Sequence, residues 1–334
     1  MARTLKIING DEDSTKIQWT STLRPDGTYA PGYTFNPWTR CTEASPACDH
    51  CYARVWAGRA KHPRDVSGNE LPVWGPDAPR DTTSARNWSL PFKWQADAKA
   101  AHETRKVFCA SLADVFEDHH ALDVLIPAPT RQLDPTGKLR KTPREWLWVL
   151  IGMTPNLIWM LLTKRPENIL GMVPPVWVTD GFPPNVWVGA TVENQEWACR
   201  RIPALLDVPA VVLFLSCEPL LGPIELMPYI DAGAGARGNF MARHHRIRER
   251  RVSLVIVGGE SGHGARSSDL AWYRSIVRQC EDAGIDPFVK QMGAKPIDRS
   301  KPVVLRDGHG GDMTEWAEDL RVRRMPTAYM PGVS

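Results

Sequence analysis

The sequence predicts an α/β protein built around a parallel sheet, and three observations lead to that class. Short apolar runs rich in β-branched residues alternate with amphipathic stretches from Lys106 onward, which is the rhythm of strands and helices in βα units. The runs are continuously apolar rather than alternating, as expected of strands covered on both faces. The chain has 334 residues, 43% hydrophobic and 24% charged, so it can bury a large core without disulfides. We therefore expect a closed or partial (β/α) barrel, with a doubly wound open sheet as the alternative.

Seven segments are predicted to be strands, and four to be helices. The strands are residues 32–36, 107–110, 157–162, 186–190, 211–215, 254–257 and 287–289. The helices are residues 48–60, 145–152, 194–206 and 269–283. Asp269 is a typical N-cap residue and Gly284 a typical helix end. The part before Lys106 is rich in Pro, Gly, Asp and Trp, so we expect an irregular N-terminal region whose one clear helix is residues 48–60.

The predicted organisation is one large domain followed by a short extension. Residues 1–294 are expected to form a single barrel-like catalytic domain, and residues 295–334 a C-terminal extension. Residues 233–251 are Gly-rich and then strongly basic, and they interrupt the strand–helix rhythm. We expect them to form an insertion whose basic run either contacts phosphate or is simply solvated.

Composition excludes a disordered or collagen-like chain, and the apolar runs are too short to predict a membrane span. The longest apolar runs, such as residues 157–162, fall far short of the ~20 residues that cross a bilayer. Residues 1–6 lack the apolar core of a signal peptide. We expect no membrane association, a cytoplasmic location and reduced thiols. With 41 basic and 38 acidic residues, the net charge of +3 does not by itself predict a nucleic-acid partner.

Three of the seven cysteines cluster along the chain. Cys41, Cys48 and Cys51 have the spacing C-x6-C-x2-C, whereas the other four are isolated and are expected in the core. Cys48 and Cys51 are one helical turn apart, so their thiols can converge. One interpretation is a zinc site completed by His50 or a distant histidine. The other is a [4Fe–4S] cluster with one iron left open to a small molecule, which a loop at the start of a barrel favours.

Polar residues follow nearly every predicted strand. Because the carboxyl ends of parallel strands form the active face of such folds, we expect these side chains to line one site. The candidates are Ser111, Asp114, Lys164, Arg165, Glu193, Glu218, Gly258, Gly259, Glu260 and Lys290.

The cysteine segment and several strand-end motifs together resemble a known family. The motifs occupy residues 36–41, 52–53, 111–116, 162–167, 216–221, 258–262 and 290–293. They resemble a phage- and prophage-associated three-cysteine family of largely unassigned function, over residues from about Thr15 to Lys295. That family looks like an outlying branch of the radical S-adenosylmethionine (SAM) enzymes, and it is more distantly similar to spore photoproduct lyase.

The resemblance implies a cofactor pair and a fold. It implies that Cys41, Cys48 and Cys51 hold a [4Fe–4S] cluster in a partial barrel of the radical SAM type. SAM would bind the fourth iron, and its reductive cleavage would give a radical that abstracts a substrate hydrogen. The chain departs from the usual C-x3-C-x2-C spacing by its longer first gap, and His50 replaces the usual aromatic residue. A cluster without radical chemistry therefore stays an alternative.

A SAM-type ligand needs acceptors for its ammonium and ribose hydroxyls, and donors for its carboxylate. The predicted acceptors are Asp114, Glu193, Glu218 and Glu260, and the predicted donors are Lys164 and Arg165. Ser111 or Asp114 occupies the early strand-end position, and Gly258 and Gly259 would let backbone approach the ligand.

The expected substrate is DNA or a nucleotide, which the enzyme would modify or repair. This follows from the resemblance to a lesion-repair enzyme and from the basic residues 243–251. The resemblance also implies an electron donor such as flavodoxin or ferredoxin, a possible protein partner, and a host cytoplasmic location if the protein is phage-encoded. The alternatives are a zinc-binding nucleic-acid-binding protein without catalysis and a protein whose cluster is purely structural.

Overall fold

The computed structural model describes residues 13–24, 26–60, 62–65, 67–230, 252–262 and 264–326. They form a mixed α/β fold with two compact units, one ending at Trp187 and the other beginning at Val188. All of the basic insertion (233–251) and the last residues of the chain (327–334) lie outside the described residues. The predicted phosphate contact of residues 243–251 therefore stays a prediction, as does the single domain over residues 1–294.

The first unit contains short strands and five helices among its described residues. Its strands are β1 (Thr22–Leu23), β2 (Tyr29–Ala30), β3 (Tyr33–Thr34), β4 (Trp38–Thr39), β5 (Asp81–Thr82), β6 (Arg105–Cys109), β7 (Ile126–Pro127), β8 (Arg140–Lys141) and β9 (Leu157–Thr163). Its helices are α1 (Tyr52–Arg59), α2 (Ala85–Ala100), α3 (Pro143–Met153), α4 (Ile169–Met172) and α5 (Pro175–Thr179).

The boundary between the units falls within strand β10 (Val186–Thr191). The strands of the second unit are β11 (Val212–Cys217), β12 (Val252–Gly258), β13 (Ser268–Asp269), β14 (Asp286–Gln291), β15 (Pro296–Asp298) and β16 (Lys301–Pro302). Its helices are α6 (Gln195–Leu206), α7 (Met227–Ile230) and α8 (Leu270–Ala283). No helix of the described residues is long and apolar enough to cross a membrane.

Seven strands form one sheet in the order β3-β6-β9-β10-β11-β12-β14. Strand β6 pairs in parallel with β3 and β9, and β12 pairs in parallel with β11 and β14. The order follows the chain without reversal, whereas a doubly wound sheet reverses at its switch point. The predicted α/β class with a parallel sheet is confirmed, and the winding agrees with a partial (β/α) barrel rather than the open-sheet alternative.

All seven predicted sheet strands are present, with small shifts at their ends. The caps of α8 are also those predicted: Asp269 accepts a hydrogen bond from the N–H of Ala271, and Gly284 is left-handed with φ 66°. Helix α1 begins later than predicted, at Tyr52, because residues 46–48 form a separate 3-10 turn.

Helix α2 was not predicted, and the expectation of an irregular segment was wrong there. Its buried residues Trp88, Pro91, Trp94 and Ala98 follow a helical period. Pro91 suggests a break, because proline removes a backbone donor inside a helix. Here the indole of Trp94 stacks on Tyr33 with ring centroids 4.3 Å apart, so packing offsets the missing bond.

The edge strand β14 is covered by the C-terminal part of the second unit. The N–H of Val289 donates to the Val322 carbonyl at 2.8 Å, and that of Arg324 donates to the Pro287 carbonyl at 3.0 Å. Covering an edge strand satisfies backbone groups that would otherwise invite pairing with another chain. Residues of the predicted extension thus complete this unit.

Candidate functional site

Three cysteines lie on one short segment between β4 and α1. Cys48 ends the 3-10 turn, where its N–H donates to the Ser45 carbonyl at 2.8 Å, and Cys51 is the N-cap residue of α1. The N–H of Cys51 donates to the Cys48 carbonyl at 3.2 Å, so one tight turn joins these two residues. The N–H of Ala44 donates to Cys48 Sγ at 3.4 Å. All three thiols are free; Cys48 is buried, and Cys41 and Cys51 are half-buried.

The backbone after Cys41 is fixed by a buried ion pair. Arg80 donates to Glu117 through Nε and Nη2, at 2.8 and 2.7 Å, and both side chains are almost fully buried. The same carboxylate accepts the Thr42 N–H at 2.8 Å, and Arg80 Nη2 donates to Thr42 Oγ1 at 2.8 Å. The Cys41 carbonyl accepts the N–H of Gly75 at 3.1 Å. This bidentate pair therefore holds the start of the cysteine segment in one conformation.

Arg165, which follows β9, links the same segment to Asp114. Its Nη1 donates to Asp114 Oδ2 at 3.0 Å, and its Nη2 donates to the Thr42 carbonyl at 2.8 Å. Nη1 also lies 3.9 Å from Cys41 Sγ. The hydroxyl of Thr163 donates to Asp114 Oδ1 at 2.7 Å. Asp114 thus binds protein groups here, and a direct contact with a ligand stays a prediction.

Charges of both signs act on the Cys41 thiol. Burial raises the pKa of Cys41, and the carboxylates of Glu117 and Asp114 raise it further. Arg165 and Lys164 act in the opposite direction. Lys164 is half-buried, and within the described residues its ammonium forms no ion pair with a carboxylate. A metal ion bound at this thiol would favour the thiolate.

The predicted residue Ser111 lies on a segment that contacts the chain before Cys41. Asn36 Nδ2 donates to Ser111 Oγ at 3.1 Å, and Asn36 Oδ1 accepts the N–H of Leu112 at 2.7 Å. The Leu112 carbonyl in turn accepts the N–H of Arg40 at 3.0 Å. The segment 111–117 therefore supports the cysteine segment on both sides of Cys41.

The donor chemistry of the cysteine segment fits an iron–sulfur cluster. Three free thiols lie within one segment, and a backbone N–H already donates to one sulfur, as outer hydrogen bonds do at such clusters. The side chains are not arranged as in a loaded site: among the described residues no group of three or more His, Cys, Asp or Glu could hold a metal ion. Cys41 Sγ instead donates to the Thr42 carbonyl at 3.3 Å. Cluster binding would replace that contact.

In the second unit, Glu193 belongs to a buried ion pair. Arg201 Nη1 donates to Glu193 Oε2 at 2.8 Å and to the Thr191 carbonyl at 3.0 Å. The guanidinium lies over the ring of Trp197, 4.1 Å from its centroid. These contacts fix α6 to the end of β10, and the predicted role of Glu193 toward a ligand stays a prediction.

A second ion pair of this unit joins the end of β11 to β14, the two strands on either side of β12. Glu218 follows β11 and Lys290 lies on β14, and Lys290 Nζ donates to Glu218 Oε1 at 2.5 Å. Strand β12 lies between them and ends at Gly258, where a Cβ would lie 3.2 Å from Glu218 Cγ and Cδ. The missing side chain at Gly258 thus leaves room for the pair. Both side chains are about one-fifth exposed, 20% and 19%, so this pair borders solvent.

Gly259 and Glu260, the two residues after Gly258, pack against or bind other residues of the protein. A Cβ at Gly259 would lie 2.3 Å from the Met292 carbonyl oxygen and 2.6 Å from the Tyr273 hydroxyl. The space that a side chain would occupy at Gly259 is therefore filled by protein, and the predicted approach of its backbone to a ligand stays a prediction. Glu260 accepts from Arg266 Nη2 and Nε at 2.7 and 3.0 Å, and from the Arg266 N–H at 2.8 Å.

A family model described as "Protein of unknown function (DUF5131)" matches residues 14–128 and 136–318. The chain belongs to the DUF5131 family. The two matched segments include the three cysteines and every candidate ligand residue of both units. No curated protein and no solved structure matches the chain.

Sequence reasoning missed the roles of Arg80 and Glu117 in this DUF5131 protein. Glu117 directly follows the motif at residues 111–116, and this adjacency was the one available signal. Arg80 lies in a segment without periodicity, so only the folded chain reveals its partner. Lys290 was noted at a strand end, but its pairing depends on the bare backbone of Gly258.

Proposed function

We propose that this protein binds a [4Fe–4S] cluster through Cys41, Cys48 and Cys51 and acts as a radical SAM-like enzyme. The observation that carries the proposal is the cysteine segment itself: three free thiols, with Cys41 bounded by the buried Arg80–Glu117 pair. Three thiolates leave one iron of such a cluster open to a small molecule. When bound, the cluster with SAM supplies a one-electron cleavage whose radical product abstracts a hydrogen atom.

The charges beside the cysteine segment support an anionic group on the ligand. Lys164 is the candidate donor for the SAM carboxylate, because its half-buried ammonium has no carboxylate partner among the residues described. Arg165 already donates hydrogen bonds to Asp114 and to the Thr42 carbonyl, so its role is to position the cysteine segment. A point charge without a partner is the simplest receptor for a carboxylate.

In the second unit, Glu218 is the best-supported acceptor for a ligand ammonium or hydroxyl. Its pair with Lys290 borders solvent, so a ligand can exchange for either partner. Glu193 and Glu260 are each bound by an arginine within the protein, which leaves them less free to bind a ligand.

We place DNA or a nucleotide as the substrate and a flavodoxin or ferredoxin as the electron donor. The substrate class follows from the resemblance to a lesion-repair enzyme and from the basic run at residues 243–251 of the sequence, and both assignments remain proposals.

Anaerobic reconstitution with iron and sulfide tests the cluster. We expect about four irons and four sulfides per chain, a broad absorption near ~400 nm, and SAM cleavage under a strong reductant. Cys51→Ala should abolish cleavage and lower the iron content. Cys199→Ser is the matched control, because Cys199, which was wrongly expected in the core, is an exposed free cysteine outside the segment. This variant should load and cleave normally.

Two results would overturn the proposal in different ways. One zinc per chain without sulfide would establish the zinc-binding alternative. A full cluster with no SAM cleavage would establish a structural cluster.

A further inference from the structure

A two-stranded hairpin of the first unit carries an unusual concentration of positive charge. Strands β7 and β8 pair antiparallel, with Ile126 opposite Lys141 and Pro127 opposite Arg140. We call residues 126–141 the basic hairpin. Its cations are Arg131, Lys138, Arg140 and Lys141, of which the first three are exposed and the last is half-buried.

These four cations have no acidic partner. Within the part of the chain that the structure describes, none of them forms an ion pair with a carboxylate. Some exposed arginines elsewhere do, as Arg64 does with Glu70 and Arg306 with Glu315. The hairpin therefore presents net positive charge that no neighbouring carboxylate neutralises.

The single acidic residue of the hairpin serves its loop instead. Asp134 is buried, and Oδ1 accepts from the N–H and the hydroxyl of Thr136 at 3.0 and 2.6 Å. Oδ2 accepts the N–H of Leu139 at 2.8 Å. Asp134 thus shapes the loop that carries Lys138 and does not pair with a cation.

Both ends of the hairpin are anchored. Trp146 Nε1 donates to the Ile126 carbonyl at 3.2 Å. Immediately after β8, Thr142 and Glu145 form a capping box at the start of α3. The anchored strands hold the backbone of Arg140 and Lys141 in place, so binding a partner there costs little backbone ordering entropy.

The base of the hairpin is connected to the support of the cysteine segment. Arg144, two residues into α3, donates to the Val115 carbonyl at 2.9 Å and to the Glu117 carbonyl at 2.8 Å. The Glu117 carboxylate binds the Thr42 N–H next to Cys41. The hairpin and the cysteine segment are therefore both attached to the same packed segment, residues 111–117.

We propose that the basic hairpin binds the sugar–phosphate backbone of a nucleic acid and so positions the substrate of the proposed enzyme. Cations without an acidic partner, two of them on the anchored strands, match a polymer with one charge per phosphate, and such contacts position a nucleic acid without reading its sequence. The exposed side chains of Leu125 and Leu139, 61% and 50% accessible, offer apolar contact beside the charges. The substrate role rests on the proposed function, whereas the binding itself does not.

Fluorescence anisotropy with labelled single-stranded and duplex oligonucleotides tests the binding across a salt series, on the full chain. The variant K138Q/R140Q/K141Q should weaken binding on the order of tenfold or more and reduce the slope of log K against log salt by about two to three. The matched control is K295Q/R299Q/K301Q, which removes three exposed cations, one on β16 and two next to β15. It should leave affinity and slope within about twofold of the original protein.

A second variant separates loss of charge from misfolding of the hairpin. R131Q/K138Q changes residues outside the paired strands, and it should reduce the slope by about two. Equal weakening by the hairpin and control variants, or no effect of either hairpin variant, would overturn the proposal. Competition by polyglutamate as strong as by unlabelled oligonucleotide would show an acidic-protein surface instead. If the original protein cleaves SAM but binds no oligonucleotide, the hairpin proposal alone is refuted. If it binds oligonucleotide but takes up no cluster, the proposed enzyme alone is refuted.

Discussion

Glu117 links the cysteine segment to the interior of the first unit. It binds the guanidinium of Arg80 and the N–H of Thr42 with one carboxylate, and both ionic side chains are almost fully excluded from solvent. A buried pair contributes little net stability as a pair, but losing one partner leaves a charge in a low dielectric.

Glu117→Gln should therefore lower the free energy of unfolding by about 3 kcal/mol or more, because Arg80 keeps its charge without a counter-ion. Urea unfolding followed by circular dichroism measures this on the metal-free protein. The matched control is Glu43→Gln, since Glu43 forms an exposed pair with Arg54 at 3.2 Å. That change should cost less than about 1 kcal/mol, and equal costs would contradict the argument.

Gly259→Ala adds one carbon atom, the Cβ, and so tests how closely the second unit is packed around Gly259. The added Cβ would meet the backbone oxygen of Met292 at 2.3 Å, and backbone cannot turn away as a flexible side chain can. We expect a loss of about 1–3 kcal/mol in unfolding free energy. Gly152→Ala is the control, because a Cβ there meets no atom within 4 Å and alanine is the better helix former by about 1 kcal/mol. A neutral Gly259→Ala would refute the packing role.

For single residues, the sequence predicted where the polar side chains lie better than it predicted which groups they bind. Its strand-end carboxylates do lie after strands, as their place behind apolar runs indicated. Their partners could not be predicted, because each arginine returns from a loop or helix whose path depends on the whole fold. The pairs are Asp114 with Arg165, Glu193 with Arg201, and Glu260 with Arg266.

At the scale of elements, the start of α3 joins the basic hairpin to the core. Thr142 Oγ1 accepts the N–H of Glu145 at 3.2 Å, and Glu145 Oε2 accepts the N–H of Thr142 at 2.7 Å. Such a reciprocal cap satisfies two backbone donors at the helix end.

Thr142→Ala should lower the free energy of unfolding by about 1 kcal/mol, because the N–H of Glu145 loses its acceptor. Chemical denaturation measures the change. Thr142→Ser keeps the hydroxyl and should retain most of the stability, so an equal loss in both variants would show that the methyl group matters and not the cap.

Element prediction succeeded where one local rule dominated and failed where packing overrode it. Continuous apolar runs and the caps of α8 were sufficient for their elements. Helix α2 was not predicted because Pro91 interrupts the helical sequence pattern. Burial of Trp88 and Trp94 stabilises the helix nonetheless. Strands β7 and β8 are two residues long, too short for an alternating pattern to appear.

At the scale of the whole molecule, the order of the seven sheet strands follows the chain. Alternating strands and helices predict a parallel sheet, but they do not fix its winding, since the same alternation suits a doubly wound fold. The choice between the two depends on which neighbours pair, and this is decided by packing over the full length of the chain.

Stability of the whole molecule should depend on pH through Lys106. Burial lowers the pKa of this lysine from 10.5 to about 8, although its ammonium donates to Thr22 Oγ1 at 2.7 Å and to the Ser21 carbonyl at 3.2 Å. Between pH 8 and 10.5 the unfolded chain binds a proton that the folded chain has released. The free energy of unfolding therefore rises with pH across this window.

The rise attributable to Lys106 should approach 1.4 kcal/mol per pH unit, roughly the value for one proton. Lys106→Met should remove it, so the difference between the variant and the original protein should change with pH from 8 to 10. Lys99→Met is the matched control, because Lys99 is exposed at the end of α2, and its curve should run parallel to that of the original protein. Parallel curves for both variants would show that the Lys106 ammonium titrates as it does in the unfolded chain.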